Sequence, residues 1–376
     1  IRVLVPYSRS LFYTDKGRER GLTAELVRDF EQYVNRKYRN GKRPVTFYLI
    51  PTTRDRLLPD LVEGLGDIAA GNVTATDERM NVVDFILQTD RPLVKELVVV
   101  GAKASPVPAV DALSGRTVHV RKASSYYESL VALDARFRSE GKPEIKLELV
   151  PDALEDEDMM EMANAGLIDV LVVDDWKAKM WRQVWPKITV DDAVFVRDGG
   201  RIGWAIHKDR PKLADAIRDF DANVAKKQGT YAYRMKQSMQ RVKQLNDPTT
   251  TSDWKRFEQT VALFRRYGDR YDFDPLMLAA QGYQESQLRQ EAHSSVGAIG
   301  VMQLMPATGA EMKVGDIRVT EPNIHAGAKY MDLLMRKYFP DAHFSEGNRP
   351  LFAFASYNAG AGRISQMRKE AAKRGL

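Results

Sequence analysis

A chain of 376 residues exceeds one ordinary compact domain, so two or three units are expected. With 44% hydrophobic and 29% charged residues it has ample material for buried cores, and a net charge of +6 favours anionic partners, whether nucleic acid, a membrane surface or an acidic polymer such as cell-wall glycan. Cysteine is absent, which excludes disulfides, thiolate metal sites and a cysteine nucleophile; no apolar run has the length of a membrane span, and no basic helix interleaved with aromatics points to nucleic acid.

The chain opens on "IRVLVPY" without an initiating Met, the start expected of a processed chain whose signal or anchor lies outside it. Short β-branched runs follow at "VTFYLI", "GDIAAGNV", "TVHVR", "IKLELV", "DVLVVD" and "IGWAIH", each bounded by Gly, Pro or charge and each predicting a strand. Between them "GLTAELVRDFEQYVNRKY", "DRLLPDLVEGL", "SSYYESLVALDARFRS" and "PKLADAIRDFDANVAKKQ" repeat apolar residues at the helical period. The alternation predicts an α/β fold with mostly parallel sheets, and the Pro/Ala break "GAKASPVPAV" is the expected divide between two lobes. "NDPTTTSDW" then reads as a polar connector. Beyond it "DWKRFEQTVALFRRYG", "DPLMLAAQGYQES", "NIHAGAKYMDLLMRKYF" and "RPLFAFASYNAG" are helical and no strand is expected, so the second unit should be all-α. "VEGLGDIAAG" lacks dinucleotide spacing, there is no P-loop, and five dispersed histidines have no ligand spacing; neither cofactor nor metal is expected.

Within the second unit, Asp274 is a good N-cap and Pro275 suits the first helical position, which puts Glu285 in the last turn of that helix or just beyond. The negative end of the helix dipole disfavours a charged carboxylate there, and any loss of water pushes its pKa the same way. A carboxyl kept protonated near neutrality is what a general acid requires. Arg289 opposes this if it faces the same side, and a solvated helix-end glutamate is the plain alternative. The small residues of "HSSVGAIGVMQLMP" let backbone approach a ligand closely, with Ser294 and Gln303 able to bond sugar hydroxyls or acetamido groups. Tyr357 and Asn358 sit at a Gly-rich helix edge in "FASYNAGAGRI". The alternatives there are a tight loop and a closely packed helix.

Taken together, the "ES" pair at 285–286, "GVMQ" at 300–303 and "SYNAG" at 356–360 resemble the signature of the soluble-lysozyme-like lytic transglycosylases, with Val301 and Ser356 as mild departures. The resemblance implies a lysozyme-like fold over about residues 246–376, Glu285 as catalytic acid/base, Ser294 assisting near the acetamido group and glycosidic oxygen, and Met302, Gln303, Tyr357 and Asn358 lining a glycan cleft. It also implies a domain that runs on past Leu376. The implied reaction cuts peptidoglycan between N-acetylmuramic acid and N-acetylglucosamine, with the sugar's own C6 hydroxyl closing on C1 to leave a 1,6-anhydro end. A hydrolytic muramidase is the alternative, with Asp272, Asp274 or Glu291 as second carboxylate.

"GDIAAGNVTATDERMNVVDF", supported by "GLTAELVRDF" and "RIGWAIHKDRPKLADAI", resembles the family 3 periplasmic solute-binding proteins. That resemblance implies a two-lobed binding-protein fold over residues 1–245, with lobe 1 at about 1–100 and 195–245 and lobe 2 at about 101–194. It implies Arg79 clamping a ligand α-carboxylate beside Thr74, Asp174 taking the ammonium, Tyr7 with Phe12 or Tyr13 as an aromatic lid, and Ser124 or Ser125 reaching in from the second lobe. The ligand is then an amino acid or a muropeptide stem peptide. The alternative is a degenerate domain in which Arg79 and Asp174 form structural ion pairs. The combined resemblance implies a periplasmic enzyme, peripheral to the outer membrane, whose binding domain regulates cleavage; a peptide sensor that docks on glycan without cutting it is the competing class.

Overall fold

The computed structural model describes residues 1–38, 43–87, 93–344 and 348–375; Leu376, the end at which the domain was expected to break off, lies outside them. The chain packs as two units, Ile1–Asp247 and Pro248–Leu376.

The first unit holds two five-stranded sheets and one hairpin. Strands β1 (Arg2–Pro6), β4 (Tyr48–Thr52), β5 (Ile68–Thr74), β6 (Asp84–Leu87) and β12 (Ile202–Ile206) form the first sheet in the order β4-β1-β5-β12-β6, while β2 (Tyr13–Asp15) and β3 (Arg18–Arg20) make the hairpin. The second sheet runs β11-β7-β10-β8-β9, from β7 (Val94–Val100), β8 (Thr117–Val120), β9 (Lys146–Leu149), β10 (Val170–Asp174) and β11 (Thr189–Gly200). Each sheet is parallel but for one reversed strand, β12 in the first and β7 in the second. The central strands β5 and β10 are buried throughout, because helices cover both faces; this is why their sequences are nearly unbroken apolar runs.

Two boundaries differ from those expected. Strand β7 belongs to the second sheet, and so does all of β11, so the lobes exchange chain near residues 93 and 201 and not near 100 and 195. The break "GAKASPVPAV" follows β7 inside the second lobe and divides nothing.

Four consecutive acids, Glu155 to Asp158, open the helix Asp156–Asn164 and fasten the lobes together. Glu155 takes Arg54 of the first lobe through two bonds of 2.8 and 2.9 Å. Glu157 accepts from the Ser8 hydroxyl at 2.6 Å and the Ser10 N–H at 2.9 Å, and Asp158 pairs with Arg9 at 2.9 Å. Asp156 stays within the second lobe, against Arg121, Lys177 and the Tyr126 hydroxyl. Burial alone would raise its pKa, but Arg121, Lys177 and Arg54 hold that carboxyl far below the usual range. A run of this kind in a sequence suggests a solvated helix start; here the helix dipole and buried cations stabilise it inside.

The second unit is helical: Ser252–Tyr271, Pro275–Ser286, Pro306–Met312, Thr320–Tyr338, Asn348–Ala359 and Ala361–Lys373 pack around Phe264, Leu278, Val301, Met302, Ile324 and Met331. The expectation of no strand needs a small amendment, since His293 pairs with Ile299 and Ile299 with Leu304 as isolated antiparallel bridges. They fold residues 293–304 back and forth beside the end of the helix Pro275–Ser286. Gly300, at φ +80°, belongs to this fold because a Cβ there would lie 2.4 Å from the Asn323 amide nitrogen. Among the described residues no helix is long and apolar enough to cross a membrane.

Replacing Asp156 with Asn should leave Arg121 and Lys177 buried without their shared counter-charge and destabilise the first unit by roughly 3–5 kcal/mol. Scanning calorimetry reads this, and a loss under about 1 kcal/mol would contradict the account of the buried run.

Candidate active site

Asp274 caps the helix Pro275–Ser286, accepting from the Met277 N–H at 2.9 Å, and Pro275 occupies its first position. Eleven residues on, Glu285 sits half-buried in the last turn. Burial raises its pKa above the usual carboxylate value, opposed in part by a 2.8 Å bond from the Gln281 amide one turn earlier. Arg289 does not reach it: its Nε turns back to the Ser286 carbonyl at 3.0 Å.

The helix ends where Gln287 and Leu288 both take left-handed backbone conformations. Ser286 pins this end, its buried hydroxyl 2.9 Å from the Val301 carbonyl and accepting from the Arg289 N–H at 3.1 Å. Behind the loop, Asn323 is fully buried and uses its whole amide. It donates to the carbonyls of Ile299 at 2.9 Å and Ile317 at 2.8 Å, and accepts from the Met302 N–H at 2.8 Å.

On this frame Ser294 closes its turn by accepting from the Ala298 N–H at 2.9 Å, leaving its hydroxyl proton available. Gln303, at φ +45°, donates both amide hydrogens' worth of bonding to the carbonyls of Ala292 and Gly300, at 3.1 and 2.9 Å, and keeps its oxygen free to accept. Tyr357 donates its hydroxyl to the Met302 carbonyl at 2.6 Å and packs edge-on against Tyr330. Burial raises the Tyr357 phenol well above its ordinary value, and the nearby Glu285 charge adds to this. Asn358 is exposed and bonds the Phe354 carbonyl at 3.1 Å.

One expected lining residue is corrected. Met302 is 0% exposed, its side chain packed against Gly327, so only its backbone serves the groove. An apolar residue inside a motif fits a groove wall and a core equally well by sequence. Of the residues that sequence reading missed, Gln281 stands four before Glu285, a spacing that places both on one helix face. Ser286 and Asn323 carried no such signal.

Between the lobes of the first unit lies a cavity of about 190 Å³ lined by Thr74, Arg79, Ser124, Ser125 and Asp174, as expected, and also by Arg54, Asn72, Arg121, Tyr126 and Lys177. Burial pushes the Asp174 carboxyl up to about 7, against the pull of Lys177 and with Asp156 and Glu96 adding to the rise. Its Oδ2 accepts from the Trp176 indole at 3.2 Å, and its Oδ1 has no partner. Ser124 caps the following helix, accepting from the Tyr127 N–H at 3.2 Å. The aromatic lid is corrected: Tyr7 is 58% exposed and packs edge-on against Phe12, which is buried in the core, and Tyr13 lines a different cavity with Arg9 and Arg241.

Residues 2–240 match the family of bacterial extracellular solute-binding proteins, family 3, and residues 262–375 match the transglycosylase SLT domain. A membrane-bound lytic murein transglycosylase F of Desulfosudis oleivorans is 31% identical over 334 residues, covering 86% of this chain and 69% of that protein. One from Pseudomonas fluorescens Pf-5 is 27% identical over 389 residues, covering 100% and 74%. For the fold of the first unit, an amino acid ABC transporter substrate-binding protein of Streptococcus pneumoniae, bound to L-arginine, superimposes with a TM-score of 0.51 at 18% identity, covering 65% of this chain and 96% of that one. An ancestral arginine-binding protein gives 0.50 at 19%, covering 62% and 96%. A two-lobed binding-protein unit joined to a helical SLT unit defines a peptidoglycan lytic transglycosylase that carries a solute-binding domain. The chain belongs to the membrane-bound lytic murein transglycosylase F family.

Asn323→Ala would strand the Met302 N–H and two carbonyls behind the loop. It should lower the stability of the second unit by about 3 kcal/mol and loosen the groove. Calorimetry of that unit's transition together with a wall-turbidity assay checks this; unchanged melting and rate would remove Asn323 from the scaffold.

Proposed function

We propose that Glu285 is the single acid and base of the cleavage. In protonated form it gives its proton to the glycosidic oxygen as the bond to C1 of N-acetylmuramic acid breaks. The resulting carboxylate takes the proton of that sugar's C6 hydroxyl as the oxygen bonds to C1. The products are a free C4 hydroxyl and a 1,6-anhydro end, and no water is consumed. A nucleophile already attached to the reacting sugar has a large effective concentration, which offsets the missing second carboxylate. Ser294, Gln303, Tyr357 and Asn358 are the proposed glycan contacts, with Ser294 nearest the acetamido group.

The observation that carries this reading is the isolation of Glu285. Its direct partner is a neutral amide, and no other carboxylate among the described residues perturbs it. Asp274 stands at the opposite end of the same helix, about 16 Å away at 1.5 Å per residue. Asp272 leaves 96% of its side chain in solvent, and Glu291 is exposed. A hydrolytic pair needs its carboxyls within about 10 Å across the bond. Glu285→Gln should reduce turnover roughly a thousandfold, and wild-type rates should fall as pH rises through the elevated Glu285 value. Mass spectrometry of digested peptidoglycan should find anhydro ends; reducing ends would replace this mechanism with hydrolysis.

For the first unit we propose a zwitterionic ligand, an amino acid or the end of a stem peptide, with its carboxylate on Arg79 and its ammonium on Asp174. The unpartnered Asp174 oxygen in the cavity supports this. We place the enzyme in the periplasm, where its substrate is, on the inner face of the outer membrane, and infer that ligand occupancy regulates cutting; the net charge of +6 suits anionic surfaces there. Because Asp174 must lose its proton to meet an ammonium, affinity should rise between pH 6 and 8. Calorimetry with amino acids and stem peptides tests the site, and cleavage rates with and without saturating peptide test the coupling. Absence of binding, or equal binding by Arg79→Ala, defeats the assignment, and equal rates defeat the regulation.

A further inference from the structure

One cation of the wall between the lobes, Arg79, is already committed to the protein itself. Arg79 follows β5 of the first lobe, and its guanidinium is already engaged on two sides. Nη1 donates to the Thr74 carbonyl at 3.1 Å, and Nη2 meets Glu128 Oε1 at 3.0 Å. Glu128 comes from the second lobe, in the first turn of the helix Ser125–Ser139, where the helix dipole favours its charge. Its other oxygen lies 4.0 Å from Arg197 of β11, which also approaches the buried Glu96 at 3.8 Å. Glu128 therefore sits between two arginines and engages the guanidinium that a ligand carboxylate would need. Elsewhere on the cavity wall, Asp174 Oδ1 and Asn72 Nδ2 are both buried and have no partner.

We propose that Glu128 is a built-in competitor for the ligand's carboxylate, which sets the affinity and selectivity of the cleft by occupying Arg79 until an α-carboxylate displaces it. The inference rests on the reading of this cleft as an amino-acid site. Displacement has solvent to move into, since the Glu128 side chain is 27% exposed while Arg79 lines the cavity. Exchanging one carboxylate for another on the same guanidinium gains little Coulomb energy, so a carboxylate ligand binds the wild-type protein weakly. A ligand bearing an ammonium but no carboxylate has nothing to displace and meets Asp174 directly.

The experiment compares L-arginine with L-argininamide by calorimetry on the wild-type chain and on Glu128→Gln. The amide differs from the acid by the carboxylate alone. Removing the competing charge should tighten L-arginine ten- to hundredfold, the worth of a charge-assisted bond, while argininamide changes less than threefold. Apo Glu128→Gln should also melt lower, because Arg79 loses its buried counter-charge. A merely structural Glu128 would lower the melting point without any gain in affinity, and that result overturns the proposal. Glu128→Ala should repeat the selective gain. Equal L-arginine affinity in wild type and variant, or an equal gain for acid and amide, overturns the competitor role and leaves the amino-acid site standing. Binding of neither probe by either protein overturns the site, and the competitor role with it.

Discussion

The bond from the Ser286 hydroxyl to the Val301 carbonyl, 2.9 Å long, is where the chemistry of the second unit is fixed in space. It ties the last turn of one helix to a loop that could otherwise stand apart from it, and it does so one residue from the acid. Asn323 braces the same loop from behind through Ile299, Ile317 and Met302, and Tyr357 closes the circuit on the Met302 carbonyl. Backbone carbonyls, not side chains, receive most of these bonds. The loop beside Glu285 is thus held by main-chain groups whose positions survive many changes of sequence, and the proposed glycan contacts Ser294 and Gln303 each keep one polar function free of structural duty.

The first unit solves a different problem with the same economy of parts. Of four adjacent acids at one helix start, Glu155, Asp156 and Asp158 are paired with Arg54, Arg121, Lys177 and Arg9, and Glu157 is held by the Ser8 hydroxyl and the Ser10 N–H. Removing charge from water is costly, and such pairs add little stability over an apolar interface, but they dictate one arrangement of partners. The cleft they border carries charged side chains from both lobes, Arg54 and Arg79 from the first and Arg121, Asp174 and Lys177 from the second.

Much of this was legible in sequence where burial is simple. Strands β5 and β10 are covered on both faces and read as apolar runs; the helices of the second unit announce themselves by period and cap. Strand β11 was hidden because its residues alternate charge with apolar groups across irregular pairing to β7. The helix Asp156–Asn164 was hidden because buried acids look like solvated ones until their cations are known. At the candidate site, Glu285, Ser294, Gln303 and Tyr357 were singled out by their pattern. Met302 and Tyr7 were misplaced because hydrophobicity does not say which way a side chain turns, and Asn323 was missed because a lone amide in a helix resembles surface.

The hydrogen-bond arithmetic of the groove has a directional consequence. The amide nitrogen of Gln303 and the hydroxyl proton of Tyr357 are committed to backbone carbonyls, so what these residues have left to offer is lone pairs. Ser294, whose oxygen receives the Ala298 N–H, is left with a hydrogen to give. If these residues contact glycan as proposed, a sugar ring would be sensed by where its hydrogens point, and a ring laid down in the opposite sense would set oxygen against oxygen. On that reading the donors and acceptors have a polarity, and a strand laid along them would have a direction.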